Sequence, residues 1–376
     1  MRDTKNLIVI VFVLLFCTEI TSRFLSNKIR SCNSDIRRKA QNEMNVPVVQ
    51  VDSKIPFEEL KVLAREYEAY VKLCTEFYGS WANAIKSNSS NHLPDFAGEY
   101  LNIESGLRKT IGHSQEASKK LFLFGGSTVF CGEVRDDLTI CSQIQALVNQ
   151  LQIPMNVINF GRSGSTISNR LLYLRGSDIS EDDIAVFWFG VNELGWKYLE
   201  GKTAIPLWAS LLRLGSQVIE RLSRYSAMLI WFSKYFDSLI LQPLFCLHAA
   251  RETIKSLEGI EKLAAIKGFR TLIILQPNIL TKSNLSSREK VIFEFFSQKK
   301  RGKITKKLFR INYPRFARAL KPYSGYSATD LFDNVETEVY VDWVHLNSDG
   351  NEIVARQILK LLQEDPKIDI SERIID

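Results

Sequence analysis

The sequence predicts an α/β domain built around a parallel β-sheet with helices on both faces. Four short apolar runs are continuous rather than alternating, as is typical of strands buried on both sides; they occupy residues 121–124, 157–160, 184–189 and 272–275. Helical patterns separate these runs, for example at 139–150, 166–175 and 250–267. Strands that alternate with helices favour a parallel sheet.

A last helix is predicted near the C-terminal end of the chain. Ser348 is a candidate N-cap, and Pro366 marks the end of the helix. Five apolar residues share one face of it: Ile353, Val354, Ile358, Leu361 and Leu362. The domain defined by these elements is expected to span residues 119–366, and residues 367–376 form a tail.

Two stretches interrupt the alternation of strands and helices and are predicted to be insertions. Residues 197–249 contain long apolar helical patterns rich in Trp and Phe. Their aromatic part, at 225–246, is interpreted as helices that pack on the core or on each other, with a lid over an acyl pocket or a membrane-surface contact as alternatives. The second insertion spans residues 278–330.

Composition excludes several classes of protein. The chain has 376 residues, of which 45% are hydrophobic and 24% are charged, so it is not a disordered, collagen-like or disulfide-scaffold chain. Its six cysteines lack the paired short spacing of a zinc knuckle or a redox CxxC motif. Cys131 and Cys141 flank a predicted loop and helix start, where a disulfide can form in an oxidising compartment.

The N-terminus carries an apolar run at residues 7–17. It is shorter than the ~20 residues that span a bilayer. Residues 1–24 are therefore predicted to be an uncleaved membrane anchor or a cleaved signal peptide, with a buried core segment as a third reading. Basic residues after the run outnumber those before it, which argues against export. Residues 25–118 are predicted to be a largely helical N-terminal extension.

Polar turn sequences follow the predicted strands. They are GGST at 125–128, GRSG at 161–164 and GVNE at 190–193, and DWVH at 342–345 precedes the last helix. Ligands bind at the carboxyl ends of the strands in an open parallel sheet. One site is therefore expected to contain residues from all four clusters.

The residue types in these clusters are those of acyl-transfer chemistry. Ser127 can present its hydroxyl above the sheet. Of the four histidines, His345 alone has a carboxylate, Asp342, three residues before it, which can accept its Nδ1–H. The backbone N–H groups of Ser127 and Gly161 and the side-chain amide of Asn192 are candidate donors to an oxyanion. The structural alternatives are an N-cap role for Ser127, a structural His345 paired with Asp342, and ordinary turn roles for Gly161 and Asn192.

Other motifs near these residues are weaker. Ser163 resembles the nucleophile of a GxSxG elbow, but Ser165 occupies the final position. Phosphate binding is disfavoured because no Lys-Ser/Thr follows the glycines and no G-x-G-x-x-G is present.

Together, GGST, NFGRSG at 159–164, GVNE and DWVH resemble the four blocks of the SGNH, or GDSL-like, hydrolases over residues 120–363. The GGST block followed by a late DxxH is similar to the extracytoplasmic, membrane-anchored members. The resemblance implies a three-layer α/β/α sandwich, Ser127 as nucleophile, Asp342 and His345 as orienting acid and base, and oxyanion donors at Ser127, Gly161 and Asn192. It implies no metal or cofactor. Gly126 and Glu193 replace aspartates of the family pattern.

The expected function is that of a serine esterase acting on O-acyl groups, chiefly O-acetyl groups of carbohydrate. The alternatives are an O-acetyltransferase for an exported polysaccharide, a lipid esterase or lysophospholipase, and a non-catalytic module that binds glycan or membrane. The resemblance places the catalytic domain outside the cytoplasm, held at the membrane by the N-terminus or secreted.

The formal charge of +7 comes from one segment. Residues 298–328 contain ten basic residues and no acidic one, and without them the chain has 39 basic and 42 acidic residues. The basic residues lie at 299–321 within the second insertion. A solvated helix explains them, and the alternative is a site for an anionic glycan or lipid headgroup. Nucleic acid is not an expected partner of an exported domain.

Overall fold

The computed structural model describes residues 93–194, 242–298, 300–323, 325–366 and 368. The predictions for the N-terminal segment at 1–24, for most of the extension at 25–118, for most of the aromatic insertion and for nearly all of the tail lie outside these residues. Among the helices of the described part, none has both the length and the apolar character needed to cross a membrane.

Eight strands form one sheet in the order β1-β2-β3-β5-β4-β6-β7-β8. Five of them, β4 to β8, are parallel to one another, and the first three are antiparallel. The strands are β1 (Phe96–Ala97), β2 (Asn102–Glu104), β3 (Leu107–Arg108), β4 (Lys119–Gly125), β5 (Met155–Gly161), β6 (Ile184–Phe189), β7 (Arg270–Leu275) and β8 (Gly325–Ser327). The predicted α/β class and the parallel core are confirmed.

The register of the central strands brings their carboxyl ends to one level. Gly125, the last residue of β4, pairs with Gly161, the last residue of β5, and with Trp188 near the end of β6. The turns that follow these three strands therefore begin side by side at one edge of the sheet.

Seven helices surround the sheet in the described residues: α1 (Ser127–Phe130), α2 (Ile140–Gln150), α3 (Ile167–Arg175), α4 (Gln242–Lys267), α5 (Ser287–Gln298), α6 (Lys300–Ala319) and α7 (Ser348–Glu364). Thr139 caps α2 and Thr166 forms a capping box with Asn169 at α3. The N-cap of α7 is Asn347 instead of the predicted Ser348, because the Asn347 side chain accepts a hydrogen bond from Gly350 N at 2.8 Å.

Helices cover both faces of the sheet, as in a three-layer α/β/α sandwich. On one face, Leu121 and Leu123 of β4 belong to the same buried cluster as residues of α2 and α7, such as Ile144 and Ile358. On the other face, Phe189 of β6 packs against Phe316 of α6, with ring centroids 5.8 Å apart. The Thr271 hydroxyl of β7 donates to Glu261 of α4 on that same face.

The described end of the N-terminal extension, from residue 93, contains β1, β2 and β3, where the sequence predicted largely helix. Strands of two or three residues are too short to show a period, so the sequence pattern could not distinguish them. Arg108 of β3 pairs with Asn159 of β5 and is buried. Its guanidinium donates to Asp136 at 2.6 Å and to the carbonyl of Val134 at 2.9 Å, and so holds the loop that follows α1.

The predicted insertion at 278–330 is partly integral to the sheet. It contains α5 and α6, and it ends in β8, which pairs in parallel with β7. Lys282 and Glu289 form a fully buried ion pair of 2.7 Å in its first part. Glu289 also accepts hydrogen bonds from the N–H groups of Val339 and Tyr340, and Lys282 donates to the carbonyl of Thr337.

The basic segment at 299–321 contains the whole of α6. One side of this helix is buried through Leu308 and Phe316, whereas Lys303, Arg310 and Arg318 are exposed. A helix with an apolar inner side and a basic outer side accounts for the sequence pattern.

Cys131 and Cys141 are both free and buried. Burial raises the pKa of the Cys131 thiol to about 12 and that of Cys141 well above its usual range. The disulfide considered between these two residues is absent, and both thiols act as small apolar groups in the core.

Candidate active site

Ser127 begins α1 immediately after β4, at the carboxyl edge of the sheet. Gly126 is the N-cap residue and has an extended backbone, with φ −81° and ψ −151°. The first N–H groups of a helix have no acceptor within the helix and point outward. The turn therefore presents both the hydroxyl and the backbone N–H of Ser127 at the same edge.

Ser127, His345 and Asp342 form a continuous hydrogen-bonded chain. The distance between Ser127 Oγ and His345 Nε2 is 2.8 Å, and His345 Nδ1 lies 2.7 Å from Asp342 Oδ2. The other carboxylate oxygen, Oδ1, accepts the backbone N–H groups of Val344 and His345, each at 2.8 Å. With Nδ1–H donating to Asp342, Nε2 is left to accept a proton from Ser127.

The protonation states of His345 and Asp342 depend on each other. Burial by itself would lower the pKa of His345, but the carboxylates of Glu133 and Asp342 and the hydrogen bond to Asp342 raise it to about 9. Burial acts to raise the pKa of Asp342, but the charge of His345 and the hydrogen bonds from His345 and Val344 lower it overall. Asp342 is therefore a stable anion beside an imidazole of high basicity.

Asn192 lies in a short 3₁₀ turn, Asn192–Leu194, that follows β6. Its amide nitrogen donates to the carbonyl of Ser165 at 2.9 Å, which leaves a second amide N–H for another acceptor. A Cβ at position 126 would collide with this amide nitrogen, so the amide sits against the backbone residue that precedes Ser127. A side chain at position 126 would therefore require the Asn192 amide to move.

The backbone N–H of Gly161, a predicted oxyanion donor, is already paired within the fold. Its N–H donates to Asn159 Oδ1 at 2.8 Å, and the residue is buried against the backbone of Phe130. Asn159 in turn donates to the carbonyl of Val129 at 3.0 Å. Gly161 is thus a residue of close strand–helix packing.

Gly164, in the same turn, was missed in the sequence analysis. It has φ +65°, which favours glycine, and a Cβ there would meet nothing within 4 Å. The adjacent residue, Ser165, supplies the carbonyl that holds the Asn192 amide. The GRSG turn thus contains one closely packed glycine, Gly161, and one with open space beside it, Gly164.

Glu193 is a buried structural carboxylate rather than a member of the hydrogen-bonded chain. It accepts the N–H of Ile167 at 2.6 Å and that of Gly190 at 2.7 Å, and so joins the turn after β6 to the start of α3. Burial raises its pKa, and these backbone hydrogen bonds limit the rise. Glu193 therefore fixes the turn that carries Asn192.

Glu133 is a second carboxylate near His345, and the sequence analysis did not select it. Its Oε1 lies 3.5 Å from His345 Nδ1, and its side chain is 12% exposed. Glu133 belongs to the loop that follows α1, outside the four motif clusters. Among the residues that the structure describes, no group of three or more His, Cys, Asp or Glu side chains is arranged to hold a metal ion.

No family model matches the chain. Comparison with curated proteins also gave no match.

The chain is similar to several solved structures. For the acetyl xylan esterase AlAXEase the identity is 15% and the TM-score 0.39, over 64% of this chain and 98% of that one. For the acetylxylan esterase Axe2 of Geobacillus stearothermophilus the values are 14% and 0.38, over 68% and 98%. For a lipolytic protein of the G-D-S-L family from Veillonella parvula DSM 2008 they are 12% and 0.39, over 66% and 100%. At these low values, the similarity has no bearing on the reaction of this chain.

Proposed function

We propose that this protein is a serine esterase of the SGNH type. The main observation in support is a pair of hydrogen bonds. One joins Ser127 Oγ to His345 Nε2 at 2.8 Å, and the other joins His345 Nδ1 to Asp342 at 2.7 Å. A hydroxyl, an imidazole and a carboxylate in this order are the parts of an activated serine nucleophile. Two of the four sequence clusters that resemble the SGNH blocks, GGST and DWVH, contribute these three residues.

In the first half of the reaction, Ser127 Oγ attacks the carbonyl carbon of the ester. The proton of the hydroxyl moves to His345 Nε2, and Asp342 stabilises the imidazolium that forms. When the tetrahedral intermediate collapses, the bond to the alcohol oxygen breaks. His345 returns the proton to that oxygen, and the acyl group stays on Ser127.

In the second half, an acceptor hydroxyl attacks the acyl-enzyme. His345 takes its proton, the ester bond to Ser127 breaks, and the proton returns to Ser127 Oγ. Water as acceptor gives hydrolysis, and a sugar hydroxyl gives acyl transfer. We propose water as the principal acceptor and O-acetylated carbohydrate as the substrate, on the resemblance of the motif blocks.

The negative oxygen of the tetrahedral intermediate needs hydrogen-bond donors. We assign this role to the N–H of Ser127 and the side-chain amide of Asn192, together with the N–H of Gly164 in place of Gly161. The turn containing Ser165 borders Gly126, since the Ser165 carbonyl would lie 3.7 Å from a Cβ at that position. All three donors thus come from turns at the same edge of the sheet.

The test of the proposed function is covalent labelling combined with product analysis. The purified full-length chain is treated with a fluorophosphonate probe, and the labelled peptide is identified by mass spectrometry. We expect a single adduct on Ser127, and release of acetate from aryl acetates and from acetylated xylo-oligosaccharides. An unlabelled Ser127, with no acetate released, would show that the chain is not a serine esterase. If the acetyl groups are recovered on an added glycan rather than as free acetate, the protein is an acetyltransferase.

Replacement of Asn192 tests the oxyanion site. We expect Asn192→Ala to lower kcat for aryl acetates by about 10²–10³, because one preorganised donor to the oxyanion is lost. Because the donor acts on the transition state, KM should change little. The matched control is Asn169→Ala, which alters an amide at the start of α3. An equal loss in both variants would indicate disturbed folding.

Two sequence-based expectations remain proposals about partners and location. The exposed basic residues of α6 are proposed to bind an anionic glycan or lipid headgroup. The N-terminal segment at 1–24 is proposed to keep the domain at the membrane, outside the cytoplasm. The second proposal is tested by fractionating cells that express the chain with and without residues 1–24 and measuring the share of the protein in the membrane fraction.

A further inference from the structure

His345 faces two carboxylates. Asp342 Oδ2 lies 2.7 Å from the imidazole Nδ1, and Glu133 Oε1 lies 3.5 Å from the same nitrogen. The two carboxylates come from different parts of the fold, since Asp342 precedes α7 and Glu133 follows α1. The proposed mechanism uses Asp342 only, and it leaves a nearly buried carboxylate without a role.

The surroundings of Glu133 favour its interaction with His345. The charged groups that act on its carboxyl are His345 and Asp342, on one loop, and Arg108 of β3. Arg108 is already held by Asp136 at 2.6 Å and by backbone carbonyls. His345 is thus the cation that Glu133 can stabilise at close range.

We propose that Glu133 is a positioning residue that stabilises the imidazolium form of His345 and thereby sets the pH above which the esterase works. The proposal rests on the proposed function, because it assigns a role in the same reaction. The neutral imidazole is the form that takes the proton of Ser127, and the imidazolium is the form that follows. A second carboxylate makes His345 a stronger base, but it also keeps His345 protonated in the resting site up to a higher pH.

The direction of the effect follows from the charges. The carboxylates of Glu133 and Asp342 raise the pKa of His345 to about 9 from its ordinary value of 6.5, although burial opposes them. Below this pH His345 is mostly protonated and cannot accept a proton, so the rate should increase with pH up to about 9. Burial raises the pKa of Glu133 itself. Loss of the Glu133 charge removes the largest of the effects that raise the pKa of His345.

The experiment compares wild type with Glu133→Gln, which keeps the shape of the side chain and removes its charge. The value of kcat/KM for an aryl acetate is measured against pH. We expect the midpoint of the rise to move from near 9 towards 6.5, so the variant gains activity relative to wild type at neutral pH. Its plateau at high pH should be lower, because the imidazolium formed in the reaction is less stabilised. The matched control is Glu352→Gln on the exposed side of α7, which should leave the profile unchanged.

A second measurement separates this inference from the proposed function. The pKa of His345 is read by NMR in both proteins, with its signal assigned by comparison with His345→Ala. If wild type is inactive but the pKa of His345 is still lower in Glu133→Gln, the proposed esterase function is wrong and the interaction between Glu133 and His345 is supported. An active wild type whose rate profile and His345 pKa are the same in the variant would overturn the role of Glu133. Should Glu133→Gln fail to fold, Glu133→Ala, which also removes the charge, is measured instead, and an unchanged midpoint there would equally overturn the role of Glu133.

Discussion

Replacement of Ser127 by alanine is expected to lower kcat for aryl acetates by a factor of about 10⁴ or more. The variant keeps the backbone N–H and the turn between β4 and α1, but it has no oxygen to attack the ester. It should also lose the fluorophosphonate adduct completely. The measurement is the initial rate at substrate saturation, together with the mass of the probe-treated protein.

The control for this variant is Ser163→Ala. Ser163 is exposed in the turn after β5 and, like Ser127, is flanked by a glycine. We expect Ser163→Ala to retain the adduct and the rate. If Ser127→Ala retained either, another nucleophile would be responsible for the activity, and the hydrogen-bonded chain would be structural.

The second large effect is expected for Asp342→Asn, which should lower kcat by about 10⁴. The asparagine oxygen can still accept the N–H groups of Val344 and His345, which Asp342 Oδ1 accepts at 2.8 Å. The amide nitrogen would then face His345 Nδ1 and donate to it. The imidazole is forced into the tautomer that carries its proton on Nε2, and this form cannot accept the proton of Ser127.

Asp342→Asn also distinguishes an effect on the orientation of the His345 imidazole from an effect on folding. Because the backbone hydrogen bonds are kept, we expect the thermal unfolding midpoint to stay close to that of wild type. The fluorophosphonate reaction should slow in parallel with kcat. A variant that lost its stability along with its activity would show that Asp342 acts on the loop before α7 rather than on the imidazole.

The parts predicted from the sequence are those with a strong local signal. The runs at 121–124 and 184–189 lie within β4 and β6 because fully buried strands are continuously apolar. The position of Ser127 at the edge of the sheet followed from the rule that the turns after parallel strands meet at one edge, whereas His345, in the loop before the last helix, was linked to it by its carboxylate and by the motif order. Their hydrogen bond spans more than 200 positions of the chain.

The parts missed have no local signal. Gly161 was predicted as a donor and Gly164 was not considered, because only the structure distinguishes the packed Gly161 from Gly164, which has open space beside it. Glu133 lies in a loop without a motif, and its contact with His345 depends on the path of the chain after α1. β8 has three partly exposed residues, too few for a pattern, and it joins the sheet only by pairing with β7.

The buried pair of Lys282 and Glu289 gives the second insertion a role in supporting the reactive histidine. Its hydrogen bonds to the backbone at Val339 and Tyr340 reach the segment that leads to Asp342. Deleting the insertion to obtain a minimal domain would leave these N–H groups unpaired. The segment that positions Asp342 and His345 would then lose these hydrogen bonds. A shortened or chimeric version of this protein must therefore retain Lys282 and Glu289 as part of the same functional unit.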